Sequence, residues 1–241
     1  MRIVIQRYAK SILLLLHFVV NQALAAPVAY IDETLFLTDL TAMGYLPVHE
    51  GFEDDTAWGD SRGQAVSAVT SQGMVWTANN PTSGITTGAG PALTGQYGFY
   101  SIPHGSYSNP DPGVTCFTPG ECGDGWRGRS ADGLIYAIGG WVKTNTPYAK
   151  VGLFIGEYPD NAVDFGATCD PPDSENCVGN STIGTTHKFF GVIDTEGFES
   201  FEYRELEGKL EIDGGDIKYI FSDDFYFAPG APQLVFKDGF E

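Results

Sequence analysis

An all-β fold, two antiparallel sheets packed face to face, is predicted by three features of the 241-residue chain. Short apolar or alternating runs are separated by Gly, Pro, Asn and Asp, the punctuation of antiparallel strands. Aromatic and β-branched residues dominate those runs. No long amphipathic helix intervenes, which argues against a parallel sheet with crossover helices. A jelly roll is the expected topology, with another sandwich topology or a barrel as the alternatives.

The first segment is read as an address. Arg2, Arg7 and Lys10 precede the apolar run from Ser11 to Val20, and Ala23, Leu24 and Ala25 supply the small-residue site of a signal peptidase. That run is shorter than the ~20 residues a membrane-spanning helix needs, and no later stretch is longer. Residues 1–25 are therefore read as a signal peptide, 26–228 as a single sandwich domain and 229–241 as a tail. The expected location is secreted, periplasmic or on the cell surface. The formal charge is −18, and the leader contributes only basic residues to it, so its removal leaves the chain still more acidic. Such a surface repels nucleic acid and attracts cations.

A short helix comes next. In "DETLFLTDLTAMG", Leu35, Phe36, Leu40 and Met43 recur at helical intervals, with Asp32 placed as N-cap and Gly44 as C-cap. The strands follow as "YLPVHEGFE", "GMVWTAN", "GQYGFYSI", "GLIYAIGGWVKT", "AKVGLFIG", "HKFFGVID", "FESFEYRE" and "DDFYFA". Alternation in "FSDDFYF" puts Phe221, Asp223, Phe225 and Phe227 on one face. In "HEGFEDD" it puts Phe52 and Asp54 together, and Gly51 is read as opening a core strand. The same tripeptide GFE recurs at Gly197, as a turn leading into "FESFEY", and at the C-terminus.

Two connections, residues 103–132 and 156–186, exceed the ~15 residues beyond which structureless loops become uncommon. They hold the four cysteines as Cys116/Cys122 and Cys169/Cys177. In an exported chain these are expected to form two local disulfides. A four-thiolate zinc site is the alternative, although neither pair has the tight C-x2-C spacing. The loops also carry Tyr107, Trp126 and Tyr158, with Arg127 beside the Trp. Loop aromatics next to a charge suit the stacking faces and polar edges of a sugar, so these four are the predicted ligand-binding residues.

The doubled acids offer hard oxygen ligands of the kind calcium takes. An Asp223 directed inward is costly unless paired or metal-bound. "GFEDD" and "FSDDFYF" resemble the terminal-strand signatures of secreted bacterial jelly-roll, carbohydrate-binding-like modules. The first and last strands of such modules run side by side, and their carboxylates hold a structural calcium. The resemblance implicates Glu53, Asp54, Asp223 and Asp224 as its ligands, and an extracellular glycan or matrix as the partner. "VFKDGFE" resembles a terminal F-x-D-G-F-E ending of exported proteobacterial proteins.

Catalytic patterns are sparse. His49, His104 and His187 are far apart and form neither H-x-H nor H-E-x-x-H, and there is no G-x-S-x-G elbow. The sequence therefore points to an exported, non-catalytic binding or structural module, calcium-stabilised and glycan-binding. The alternative is a glycan hydrolase using two carboxylates on the same fold.

Overall fold

The computed structural model describes residues 26–80, 83–102, 124–145, 151–156, 186–205 and 219–230. Residues 1–25, read in sequence as a signal peptide, lie outside the described residues, as does the expected tail beyond Gly230; Pro229, placed in that tail, belongs to the last strand. Cys116, Cys122, Cys169 and Cys177 also lie outside the described residues, and with them both expected disulfides, Cys116–Cys122 and Cys169–Cys177. Within the described residues the chain forms two antiparallel sheets facing one another, a β-sandwich of the jelly-roll kind.

Twelve strands are described: β1 (Val28–Tyr30), β2 (Val48–Glu50), β3 (Ala68–Ser71), β4 (Met74–Ala78), β5 (Ile85–Gly88), β6 (Gly98–Ser101), β7 (Gly125–Ser130), β8 (Ile135–Thr144), β9 (Val151–Ile155), β10 (Lys188–Phe198), β11 (Ser200–Glu205) and β12 (Ile220–Pro229). The larger sheet runs β1-β10-β8-β12-β6-β5, with β2 also paired to β12; the smaller runs β3-β4-β7-β11-β9. All eight predicted runs contain a strand. The short β1, β3 and β5 have no counterpart among them, and β7 occupies part of what reads in sequence as a long loop. The expected adjacency of the first acidic segment and the last strand holds, since Phe225 of β12 lies opposite Glu50 of β2.

The predicted helix is α1 (Glu33–Ala42), capped by Asp32, whose Oδ1 accepts the Leu35 amide at 2.8 Å. Gly44 adopts φ +84, and the amides of Gly44 and Tyr45 return to the carbonyls of Thr41 and Leu40. This closing pattern needs a left-handed residue, which glycine supplies without strain. A second, shorter helix, α2 (Asp55–Trp58), follows β2 and leads into a 3-10 turn, Gly59–Ser61.

Between the sheets lies an aromatic core in which Phe52, Trp58, Trp76, Phe99, Trp126, Phe201, Tyr203 and Phe225 are all buried. Each such side chain removed from water contributes about 1.5–3 kcal/mol. The Tyr203 hydroxyl donates to the Phe190 carbonyl at 3.0 Å and so ties β11 of one sheet to β10 of the other. A second cluster covers the outer face of the larger sheet, where α1 places Phe36 and Leu40 against Tyr30, Ala137, Phe189, Ile193 and Ala228. The glycine pair of β8 serves both layers. A Cβ on Gly140 would stand 2.5 Å from the Phe225 ring inside, and one on Gly139 would stand 2.7 Å from Phe189 outside.

The GFE at Gly197 is a corner between sheets. Gly197 has φ +77, Phe198 pairs with Ile135 of the larger sheet, and Ser200 pairs with Arg129 of the smaller one. Glu199 between them is exposed.

Candidate functional site

The outer face of the larger sheet is organised by a bulge in β12. Ser222 lies opposite Phe99 and Val142, both core residues, whereas after a register shift between Asp223 and Tyr226 it is Phe225 and Phe227 that enter the core. Asp224 carries the irregularity with φ +47. A bulge inserts one residue and inverts the inside–outside alternation beyond it. The predicted single face is thereby corrected: Phe221 and Asp223 share the outer face, while Phe225 and Phe227 point inward.

The first GFE is corrected in the same way. It follows β2 rather than opening a strand, and Phe52 turns the chain with φ +59. That turn is held by Glu50, whose Oε1 accepts the Phe52 amide at 2.7 Å, and by Arg62, which donates to the Phe52 carbonyl at 2.7 Å. Beyond the turn Asp54 is exposed and caps α2, its Oδ1 accepting the Thr56 amide at 2.8 Å.

The remaining three predicted metal ligands converge on one loop, residues 89–97. Glu53 Oε1 accepts the amides of Gln96 and Tyr97 at 2.6 and 2.8 Å. Asp223 Oδ2 accepts those of Leu93 and Thr94 at 2.6 and 3.0 Å, and its Oδ1 accepts the Asp224 amide at 2.9 Å. Asp224 accepts the Thr94 hydroxyl at 2.9 Å and faces His49 Nε2 at 3.0 Å. From the loop, the Gly90 and Pro91 carbonyls accept hydrogen bonds from Lys143 and His187 at 2.9 and 3.0 Å. Glycine is required at position 95, where φ is +61 and a Cβ would collide with the Glu53 carboxylate.

Tested against calcium, this donor set does not fit. Glu53, Asp54 and Asp223 face separate backbone amides, Asp224 faces the Thr94 hydroxyl and His49, and among the described residues no three His, Cys, Asp or Glu groups gather as a metal-holding cluster. Calcium takes six to eight oxygens around one point.

Burial pushes Asp223 from 3.8 to about 6, against the pull of the Thr94 and Leu93 amides. Burial also pushes Asp224 upward, but the His49 and Thr94 hydrogen bonds outweigh it and hold its pKa below the ordinary value. The same hydrogen bond raises His49 despite partial desolvation, whereas desolvation lowers His187. The His49 ring stacks on Tyr226 with centroids 4.7 Å apart.

Beside the clamped loop runs a row of outward side chains. Lys143 of β8 lies opposite Phe221 of β12, and the Ser222–Phe99 register sets Tyr100 of β6 on Phe221's other side. Two strand spacings make the row about 10 Å long. Thr86 of β5, opposite Tyr100, closes its end, buried and donating to the Ser61 carbonyl at 2.9 Å. The Tyr100 and Phe221 rings meet edge to face at 5.4 Å, and Tyr219 lies 5.5 Å from Phe221 with the planes 7° apart. Lys143 Nζ sits 5.8 Å from the Phe221 centroid. Tyr100, Lys143, Tyr219 and Phe221 are all half-buried. Sequence reasoning missed this row, because its members lie on separate strands and only the register brings them together.

Of the predicted ligand residues, Tyr107 and Tyr158 lie outside the described residues, as do the cysteine pairs of their loops, Cys116 with Cys122 and Cys169 with Cys177. Trp126 is corrected. It lies in β7 with no exposed surface, stacked on Tyr203 at 4.9 Å and edge-on to Phe99 at 5.0 Å. The alternation of "GWRGRS" sends Trp126 inward and Arg127 outward, where Arg127 Nε donates to Glu202 Oε2 at 2.5 Å.

No protein-family model matches the chain, and no curated protein sequence does. Among solved structures, the K1 cleaved adhesin domain of Lys-gingipain from Porphyromonas gingivalis W83 is similar at 15% identity and TM-score 0.40, covering 77% of this chain and 99% of that one. The CBM22-1–GH10 modules of Clostridium thermocellum endo-1,4-beta-D-xylanase 10B give 12% identity and TM-score 0.41, over 78% of this chain and 29% of that one. The CBM22-1 xylan-binding domain from Paenibacillus barcinonensis Xyn10C gives 12% identity and TM-score 0.36, over 75% and 92%.

Proposed function

We propose that this chain is an exported, non-catalytic module that binds an extracellular glycan on the outer face of its larger sheet. The observation that carries the reading is the half-open ring cluster of Tyr100, Tyr219 and Phe221 beside Lys143. Elsewhere this face packs beneath α1 or meets the 89–97 loop. Aromatic rings offer an apolar surface to the C–H faces of a sugar, and nearby polar groups fix its orientation. The Lys143 ammonium and the tyrosine hydroxyls stand in the same cluster to supply them.

A second reading, a carboxylate-pair hydrolase, is favoured by one observation. Asp223 and Asp224 are neighbours whose pKa values are pushed in opposite directions, the pattern of an acid beside a base. Against it, Asp223 is fully buried and both its oxygens accept backbone amides.

A panel of neutral soluble polysaccharides in affinity electrophoresis tests both. The native chain is expected to be retarded by at least one polymer, and Tyr219→Ala with Phe221→Ala to abolish the retardation without releasing new reducing ends. No retardation by any polymer, or equal retardation of the double variant, overturns the binding reading. New reducing ends that disappear in Asp223→Asn establish the hydrolase.

A further inference from the structure

A different set of charges lies on the opposite side of the molecule. Beyond the first 25 residues the chain has four arginines, and Arg62 pairs with Asp55 beside α2. The other three, Arg127, Arg129 and Arg204, stand on the outer face of the smaller sheet, on its central strand β7 and the adjoining β11. Core residues alternate with them: Trp126 on β7, Phe201 and Tyr203 on β11.

The grouping is built around one carboxylate. Glu202 is 3% exposed and lies opposite Arg127. Its Oε1 accepts Asn79 Nδ2 at 3.1 Å and also Arg204 Nε, and its Oε2 accepts Arg127 Nε. Arg127 is thus pinned through Nε while its side chain remains 46% exposed. Arg129, two residues along the same strand face, is exposed and its guanidinium meets no partner among the described residues. Two residues of strand separate the pair by about 7 Å. In a chain of formal charge −18 this is a local excess of positive charge, with Arg127 held in place by Glu202.

We infer that Arg127 and Arg129 form a binding site for the oxyanion groups, carboxylate or sulfate, of an acidic polysaccharide. The guanidinium fork matches such planar or tetrahedral oxyanions through paired hydrogen bonds. An extended polymer carrying them at intervals along β7 meets both forks, with Thr77 of β4, opposite Arg127, as a hydroxyl neighbour. Only the polymer's being a glycan rests on the proposed function; the oxyanion chemistry stands on these residues alone.

The test is affinity electrophoresis of the full chain in about 0.1 M salt, where long-range repulsion by the acidic surface is largely screened. The probes are dextran sulfate, polygalacturonate, unsubstituted dextran and single-stranded DNA. Retardation is expected with dextran sulfate or polygalacturonate, whichever oxyanion the site prefers, and with neither dextran nor DNA. Arg129→Gln, at an exposed position without a partner among the described residues, is expected to weaken it about tenfold, the effect of losing one charge-assisted hydrogen bond. Arg129→Lys, which keeps the charge but not the fork, is expected to weaken it in the same direction. The Tyr219→Ala, Phe221→Ala variant is expected to bind the polyanion unchanged, which separates failure here from failure of the neutral-glycan site. No retardation by either acidic polymer, equal retardation of Arg129→Gln, or equal retardation by DNA overturns the proposal.

Discussion

Asp223 Oδ2 lies 2.6 Å from the backbone nitrogen of Leu93, across 130 residues of chain. That bond, with the 3.0 Å bond to Thr94, fastens the 89–97 loop over the bulge of β12. It gives a buried carboxylate the partners that a desolvated charge requires.

Replacing Asp223 by Ala removes both acceptor oxygens and leaves the Leu93, Thr94 and Asp224 amides to find new ones. The expected cost is about 2 kcal/mol, less than the full loss of three charge-assisted bonds because a desolvated charge is removed as well. Asp223→Asn retains a carbonyl oxygen and is expected to cost less. Urea denaturation of the two variants against the native chain measures both, and an unchanged midpoint for Asp223→Ala contradicts the clamp.

Because Glu53, Asp223 and Asp224 bind loop groups and Asp54 caps α2, chelation is expected to leave the melting temperature unchanged. A scan with and without excess chelator checks this. A fall that calcium reverses, and that Asp223→Ala abolishes, would restore the metal reading.

The bulge also carries a pH signature. Asp223 has a folded pKa of about 6 against 3.8 ordinarily, so its contribution to stability is fully present below 3.8 and is lost as pH rises through 6. His49, raised by Asp224, acts in the same sense: its contribution is present below 6.5 and lost as pH rises through its raised value. His187, lowered by desolvation, opposes them as pH falls below 6.5. Subtracting one variant from the native chain isolates the first group. The gain in melting temperature from pH 7 to pH 5 is expected to be smaller in Asp223→Asn, and an equal gain in both proteins rules the assignment out.

Trp126→Ala is expected to be a stability variant, costing about 3–5 kcal/mol as a large aromatic ring leaves a packed core. Its ring meets Trp76, Phe99, Phe201, Tyr203 and Phe225 within 5.8 Å. Arg127→Gln, one residue on, is expected to alter stability far less. Denaturation curves that rank the two the other way would contradict the assigned faces of β7.

Much of the architecture is legible locally. Asp32, the apolar spacing behind it and Gly44 mark both ends of α1, because capping involves only neighbours in sequence. The eight runs each hold a strand for the same reason: alternation is a property of a few consecutive residues. The sign that β7 was a strand lay in "GWRGRS", where two arginines alternate with a Trp and a Gly. The short β3 and β5 hold too few apolar residues for periodicity to show.

By itself the sequence determined the β class, the first helix with its caps, the strongly acidic balance of the chain, and the presence of carboxylates in the two segments that meet as β2 and β12. Tertiary structure decided what those carboxylates do. One extra residue in β12 inverts its faces, and that inversion exchanges a predicted ion site for a clamp on a loop 130 residues away. It likewise decided which aromatics are open, by aligning Tyr100, Phe221 and Lys143 across three strands. Register and bulges depend on partners distant in sequence, and no local pattern encodes them.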